Sequence, residues 1–246
     1  MNNNLITICN IDIKEERFKC LDILLKEKIV DIKEIEDYYV SNVSEKTIDF
    51  TINYLERGIN ISKLEEVIIK TELPGYIYNF ALNVENANIT RLETAIIKTQ
   101  SPEYITKFAL NIKGADITRL EDAIIERGKE YYIYEFADKV KRANIKKLED
   151  AIIKSENAIY IYYFARDIRR ANIKKLEDAI IKSGNQYYIY RFACDVQENK
   201  EKYDIDAFIN SVNNNTYEYY LEEIKVLFQD EQNKEITKPK KLTKKK

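Results

Sequence analysis

The amino-acid sequence predicts an all-α fold: an α-solenoid of about seven stacked helix pairs that form a single superhelical domain. Three observations lead to this prediction. A 28-residue unit recurs five times without a gap, each unit carries two apolar stretches at helical spacing, and the 246 residues include only five Gly and three Pro. So few turn-forming residues disfavour strand-rich folds, and a fixed period of roughly 20–50 residues is typical of repeat architectures.

Two columns of identical residues define the repeat, one of leucine and one of phenylalanine. The units begin at Asn60, Asn88, Asp116, Asn144 and Asn172, and we number the 28 columns of each unit from these residues. Column 5 holds Leu64, Leu92, Leu120, Leu148 and Leu176, and column 21 holds Phe80, Phe108, Phe136, Phe164 and Phe192. Residues 60–199 are therefore five tandem two-helix repeats.

The first helix of each unit is indicated by apolar residues in columns 2, 5, 8 and 9, which share one helical face. Its start is predicted from capping boxes, in which a hydroxyl and a glutamate each satisfy a free backbone N–H group. These boxes are Ser62 with Glu65, Thr90 with Glu93, and Thr118 with Glu121. Lys146 and Lys174 replace the hydroxyl in the last two units, so Asn144 and Asn172 are the expected caps there.

The second helix is indicated by an apolar stripe in columns 18, 21, 22 and 25. Pro74 and Pro102 share one column, which suits the first turn of a helix because proline lacks an N–H group. Ser101, Asn157 and Asn185 are candidate caps. One unit cannot bury both stripes by itself, whereas stacked units can, and this defines a solenoid.

The flanks resemble degraded repeats, as expected of terminal caps. Residues 1–59 are predicted to form an N-terminal helical cap, with a helix over 14–28 and one degenerate repeat whose second helix covers residues 51–58. Residues 200–229 are predicted to form a C-terminal degenerate repeat or cap. The lysine-rich segment 230–246 is predicted to be a disordered tail.

These 28-residue units resemble helical-repeat proteins of the HEAT and tetratricopeptide type over roughly residues 31–228. The resemblance implies an architecture and the habit of binding partners along one face, and it implies no particular partner. HEAT units are longer, and the Trp, Gly and Pro consensus of tetratricopeptide repeats is absent from this chain.

Composition argues against an enzyme. The chain has no His, which excludes Ser-His-Asp and Cys-His catalysis and His-ligated zinc. Carboxylate pairs such as Glu149 and Asp150 recur at the start of each first helix, where helix capping explains them better than catalysis or metal binding. We therefore expect no catalytic residue, no metal and no cofactor.

The expected location is the cytoplasm. The three cysteines Cys9, Cys20 and Cys194 form no disulfide pattern, which favours a reducing compartment. No signal peptide is apparent at the N-terminus. No apolar run approaches the length of about 18 residues that a membrane span needs.

The tyrosines indicate a binding surface. Nine of the 19 tyrosines lie in the second helices of the third, fourth and fifth units, and columns 16, 19, 20, 23 and 27 point away from the predicted core. Tyrosine and arginine are enriched at the centres of interfaces. The alternative is that these tyrosines pack against adjacent units. The candidate partner-binding residues are Tyr131, Tyr134, Glu135, Asp138, Arg142, Tyr162, Tyr163, Arg166, Arg170, Tyr187, Tyr190 and Arg191.

Two classes of partner are compatible with such a surface. The favoured one is a protein, for which the chain would be a scaffold or an inhibitor, and an immunity, antitoxin or anti-defence protein is of this kind. The other is single-stranded nucleic acid, with bases stacked on tyrosine and phosphates bound by the arginines. Residues 1–233 carry a net charge of −8 and residues 234–246 a net charge of +6, and an acidic body is a poor counter-ion for phosphate. The arginines concerned are Arg142, Arg166, Arg169, Arg170 and Arg191.

Overall fold

The computed structural model describes residues 3–197, which contain fourteen α-helices and no strand. The predicted degenerate repeat at 200–229 and the predicted tail at 230–246 lie outside the described residues. The chain divides into two compact units, Met1–Arg127 and Gly128–Lys246.

The first unit contains nine helices and one short 3-10 turn, Leu55–Arg57. The odd-numbered helices α3, α5, α7 and α9 contact one another in order, and so do α4, α6 and α8, so the helix pairs stack in two layers. The helices are α1 (Asn3–Cys9), α2 (Lys14–Lys26), α3 (Ile32–Ser41), α4 (Glu45–Tyr54), α5 (Ile61–Lys70), α6 (Pro74–Asn83), α7 (Ile89–Lys98), α8 (Pro102–Asn111) and α9 (Ile117–Glu126).

The second unit repeats this arrangement over its described residues. Helices α10, α12 and α14 form one layer and α11 and α13 the other, and each helix also contacts the next one along the chain. The helices are α10 (Glu130–Lys139), α11 (Ile145–Lys154), α12 (Ala158–Asp167), α13 (Ile173–Lys182) and α14 (Gln186–Gln197). The prediction of an all-α protein of stacked helix pairs is confirmed.

The degenerate repeat before Asn60 is a helix pair, α3 and α4, but its second helix lies earlier than predicted. Helix α4 covers Glu45–Tyr54 and not residues 51–58. Ser44 and Thr47 form a reciprocal capping box there, with the Ser44 N–H donating to the Thr47 hydroxyl at 3.0 Å. Residues 55–57 belong to the 3-10 turn that follows the helix.

The core consists of the columns that define the repeat. All five leucines of column 5 and all five phenylalanines of column 21 are 0% exposed. They occupy the two layers of helices, the leucines on first helices and the phenylalanines on second helices. Burial of each such side chain contributes about 1.5–3 kcal/mol, and the isoleucines of columns 9 and 18, such as Ile68 and Ile77, are buried to the same degree.

The turn between the two helices of a 28-residue repeat has the same conformation in all five repeats. Column 13 has a positive φ in all five units, at Glu72 (55°), Gln100 (60°), Gly128 (64°), Glu156 (56°) and Gly184 (66°). Only glycine adopts this left-handed conformation without steric cost, which explains the two glycines of this column. Pro74 and Pro102 then occupy the first position of α6 and α8, as predicted.

The capping boxes predicted for the first three 28-residue repeats are wrong. In each of these repeats the first helix begins at column 2, so the residue in column 1 is the cap. Asn60 caps α5 by accepting the Lys63 N–H at 3.1 Å, and Asn88 and Asp116 act in the same way. Asn144 and Asn172 cap α11 and α13, which confirms the prediction for the last two units. Ser62 is therefore the second residue of its helix and not the cap.

The glutamate of column 6 joins consecutive repeats. Glu65, Glu93 and Glu149 are only 1–2% exposed, and one carboxylate oxygen of each accepts the backbone N–H of column 1 in the next repeat. The distances are 2.8 Å from Asn88 to Glu65, 2.7 Å from Asp116 to Glu93 and 2.6 Å from Asn172 to Glu149. Glu36 makes the same bond to Asn60 at 2.8 Å, so the α3–α4 pair is linked in the same way.

A cation from the next repeat approaches these buried carboxylates. Arg91 lies 3.0 Å from Glu65, and Arg119 lies 2.7 Å from Glu93. Burial raises the pKa of Glu93, although the Asp116 N–H and Arg119 oppose the shift. The carboxylate is thus held by one backbone donor and one charged side chain, which is how a buried ionised group is tolerated.

We expect Glu65→Ala to lower the free energy of unfolding by about 1–3 kcal/mol, because it leaves the Asn88 N–H without its acceptor. The neighbouring substitution Glu66→Ala is the matched control. Glu66 is exposed and pairs only with Lys70 on the surface, so its loss should change stability by less than about 0.5 kcal/mol. Urea unfolding followed by circular dichroism measures both, and equal effects would contradict the role given to Glu65.

Candidate partner-binding surface

All twelve candidate residues lie in the second unit, on α10, α12, α14 and the loops that follow α10 and α12. Because these three helices form one layer, the structure brings the candidates of each helix next to those of the neighbouring helix. Their environments differ, and they fall into a packed tyrosine cluster, an exposed apolar row and a basic rim.

The tyrosine cluster consists of Tyr134, Tyr160, Tyr162, Tyr163 and Tyr188. Each ring lies 5.4–6.5 Å, centroid to centroid, from at least one other ring of the cluster. Tyr162 is only 2% exposed, and the others are half-buried. The expectation that column 19 points away from the packed surface is therefore wrong for Tyr162, because the Tyr163 ring of its own helix and the Tyr188 ring of α14 lie against it.

Three tyrosines of column 19 form hydrogen bonds to the next repeat through their hydroxyl groups. Tyr134 donates to an Asp167 oxygen at 2.8 Å, and Tyr162 donates to Asp195. The same columns, 19 and 24 of consecutive repeats, meet in the compact unit Met1–Arg127, where the Asn111 amide donates to the Tyr78 hydroxyl at 2.9 Å. This bond between columns 19 and 24 holds second helices together, as the column 6 glutamate holds first helices.

Arginine completes the cluster. Arg166 donates to both oxygens of Asp167 at 2.7 and 2.9 Å, and its guanidinium carbon lies 4.9 Å from the Tyr163 ring centroid. Arg191 contacts Asp195 at 2.5 Å. Partial burial alone would raise the pKa of Asp167, but the bonds from Arg166 and Tyr134 outweigh it and hold that pKa below its usual value. These side chains are satisfied within the chain.

The exposed apolar row is Tyr131, Ile159 and Tyr187, which occupy column 16 in three consecutive repeats. Their exposed fractions are 50%, 38% and 51%. Each lies in the first turn of α10, α12 or α14, so the row crosses all three helices of the layer. Tyr131 and Tyr187 each rest edge-on against the following tyrosine, at centroid distances of 5.1 and 5.0 Å, which restricts their rotation.

The basic rim is Lys141, Arg142, Arg169 and Arg170, in the loops that follow α10 and α12. All four side chains are exposed, and none forms an ion pair with the described residues. Arg170 donates to the Lys141 carbonyl at 3.3 Å and so bridges the two loops. Three of the four rim residues line a groove of about 360 Å³ together with Asp138 and Asp167.

The net charges of the two compact units have opposite signs. Residues 128–197 carry 14 basic and 10 acidic side chains, a net charge of +4, whereas residues 1–127 carry 16 basic and 22 acidic side chains, a net charge of −6. The acidic character that the sequence suggests for the body therefore does not extend to the unit that holds the candidate surface.

The remaining candidates have the following environments. Glu135 is half-buried and pairs with Lys139, and Asp138 is exposed at the groove. Tyr190 is half-buried. Ile159, Lys141 and Arg169 are not among the residues predicted to bind a protein partner, although Arg169 is among the arginines considered for nucleic acid. A signal was present, because Ile159 shares column 16 with Tyr131 and Tyr187, and Lys141 and Arg169 directly precede Arg142 and Arg170.

The described residues thus define a helical-repeat protein of stacked helix pairs. No protein-family model, no curated protein and no solved structure matches the chain. Within residues 3–197 no helix is both long and apolar enough to cross a bilayer. In the same residues no group of three or more Cys, Asp or Glu side chains could hold a metal ion.

The lowered pKa of Asp167 predicts an acid-dependent contribution to stability. The contribution is present above the ordinary aspartate value of 3.8 and is lost as the pH falls through the lower value of the folded state. Asp167→Asn should therefore reduce the free energy of unfolding near pH 7, and its difference from the unmodified protein should shrink as the pH falls below about 4.

Urea unfolding between pH 3 and 7 measures this difference. Asp138→Asn is the control, because Asp138 is exposed and makes no hydrogen bond or ion pair with the described residues. A difference between Asp167→Asn and the unmodified protein that does not change with pH would contradict the role of the ionised Asp167.

Proposed function

We propose that this protein is a non-enzymatic interaction module that binds a protein partner through the second-helix layer of its second unit. The observation that carries the proposal is the exposed apolar row of Tyr131, Ile159 and Tyr187. Isolated exposed apolar residues are ordinary, whereas a contiguous row of large ones is typical of an interaction site.

The position of the row supports binding over packing within the chain. Tyr134 and Tyr162 donate their hydroxyl groups to the next repeat and so already have a structural role, whereas Tyr131 and Tyr187 form no hydroxyl bond with the described residues. In the first two repeats, which belong to the compact unit Met1–Arg127, column 16 holds Gly75 and Glu103 and no large apolar residue. The fold itself therefore does not require large apolar residues in this column.

The row also has the properties of an interface centre. Tyrosine provides a large contact area with few rotatable bonds, and here two tyrosines are held against a neighbouring ring before any partner arrives. Such preorganisation lowers the entropy lost on binding. Helical-repeat proteins of the HEAT and tetratricopeptide type, which the units resemble, bind partners along one such layer.

The proposal keeps the sequence-based expectation of a cytoplasmic scaffold or inhibitor that uses no cofactor. Single-stranded nucleic acid is less well supported as the partner. Ile159 in the middle of the row offers no aromatic face for a base, and the rings of the tyrosine cluster pack against one another and against Arg166.

We expect the triple substitution of Tyr131, Ile159 and Tyr187 by serine to abolish partner binding without unfolding the protein. Residues at the centre of an interface cost about 2 kcal/mol or more each when truncated, so capture should fall at least about tenfold. The measurement is quantitative affinity capture from a lysate of the source organism, with the full chain as bait. Substitution of Tyr134, Tyr162 and Tyr190 is unsuitable, because two of these tyrosines join repeats.

The matched control is the triple substitution of Leu73, Leu82 and Leu110 by serine. These leucines are 49%, 45% and 43% exposed but lie in the first unit. The control should capture the same proteins as the unmodified chain. If the row variant is folded by circular dichroism and captures as well as the control does, the proposed surface is wrong.

A further inference from the structure

We infer that the segment bound by this surface is acidic and carries apolar side chains at a set distance from its carboxylates. This inference rests on the proposed function and adds the chemistry of the partner. It follows from the basic rim, which lies in the same unit as the exposed apolar row and whose four cations form no ion pair with the described residues.

The charges of this unit are divided unequally between its packed and exposed parts. The acidic groups of the second-helix layer are largely engaged, with Asp167 bound by Arg166 and Tyr134, and Asp195 bound by Arg191 and Tyr162. The four cations of the basic rim have no such partner among the described residues. The exposed excess is therefore positive, which favours an anionic partner by charge complementarity.

The groove beside the rim gives the carboxylates of a partner a place to bind. It has a volume of about 360 Å³, and the three cations Lys141, Arg169 and Arg170 line it together with the carboxylates of Asp138 and Asp167. The bond from Arg170 to the Lys141 carbonyl ties the two loops together, so the cations of consecutive repeats are held near one another. A guanidinium binds a carboxylate through two parallel hydrogen bonds, which adds geometric selectivity to the attraction between charges.

The distance from row to rim limits the sequence of the partner. The row lies in the first turn of each second helix and the rim lies just beyond the last turn, so about ten helical residues separate them. Ten residues of α-helix measure about 15 Å. An extended partner covers this distance in about five residues, so apolar and acidic side chains are expected about five positions apart in an extended segment.

Two other exposed surfaces do not combine exposed apolar side chains with an excess of basic ones. The exposed leucines of the first unit lie in a unit whose net charge is −6. The exposed lysines of α11 and α13 have no neighbouring row of large apolar side chains among the exposed residues. Within the second unit, the second-helix layer places exposed apolar and unpaired basic side chains together.

The experiment selects peptides from a random 16-residue phage-displayed library on the full chain and measures synthetic copies of the enriched peptides by fluorescence anisotropy. We expect the enriched peptides to carry net negative charge and at least two large apolar residues. Their binding should weaken with rising salt, because exposed charge pairs are screened. A labelled oligothymidylate of 20 nucleotides is measured in parallel as the nucleic-acid probe.

The deciding variant replaces Lys141, Arg142, Arg169 and Arg170 by glutamine. It should weaken binding of the enriched peptides about tenfold or more and should reduce the salt dependence. The matched control replaces Lys146, Lys154, Lys174 and Lys182 by glutamine, which removes the same charge from exposed positions on α11 and α13. The control should change affinity by less than about twofold, because these lysines lie in the other layer.

The outcomes separate the inference from the proposed function. If the serine variant of the apolar row loses peptide binding while the glutamine variant of the rim keeps it, the surface is right and the acidic partner is wrong. If neither variant affects the enriched peptides, both are wrong. Equal losses in the rim variant and its lysine control, neutral or basic enriched peptides, or rim-dependent binding of the oligothymidylate that is tighter than peptide binding would each overturn the inference.

Discussion

The bond from a backbone N–H to a buried glutamate of the preceding repeat is the interaction on which the stacking depends. The donor belongs to column 1, and its side chain caps the first helix of its own repeat. One residue therefore starts its helix and connects it to the preceding one. Because the donor is a backbone group, the bond fixes the position of the chain itself and not only that of a side chain.

This arrangement explains the glutamates of column 6 at Glu65, Glu93 and Glu149. A shorter acid would not reach the next repeat, and an apolar residue would leave a partly buried N–H group without an acceptor. The first helices are joined through this bond, and the second helices are joined through the bonds between columns 19 and 24. Stability in such an array is approximately a sum of repeat and interface contributions, so a bond that recurs at several interfaces contributes at each of them.

Interface bonds of this kind also account for the two classes of tyrosine in the second unit. Tyr134 and Tyr162 in column 19 donate their hydroxyl groups to the next repeat, whereas Tyr131 and Tyr187 in column 16 lie in the first turn and stay exposed. Tyr131 and Tyr134 lie in the same helix, three residues apart. The difference between a structural tyrosine and an available one therefore arises from where the neighbouring helix lies.

Much of the fold was predictable because its signals are local and repeated. Leucine and phenylalanine recur at a constant period, proline occupies the first helical turn, and asparagine precedes the first helix of the fourth and fifth repeats. Each of these patterns has a direct structural cause. The capping boxes were mispredicted since Ser62 and Glu65 have the right spacing, and only the packing of the next repeat shows that Glu65 has another donor. The end of α4 was misplaced because the degenerate repeat has lost the period that locates the others.

The candidate surface divides in the same way. The sequence by itself determined the helical-repeat class, the two-helix unit and the helices that carry tyrosine and arginine, because apolar periodicity and composition can be read without knowing any contact between repeats. Only the tertiary structure decided that Tyr162 is buried, that Asp167 and Asp195 are engaged, and that Tyr131, Ile159, Tyr187 and the basic rim remain exposed. These properties depend on which side chain of a neighbouring repeat lies within reach, and residues about 30 positions apart come into contact only when the helices stack.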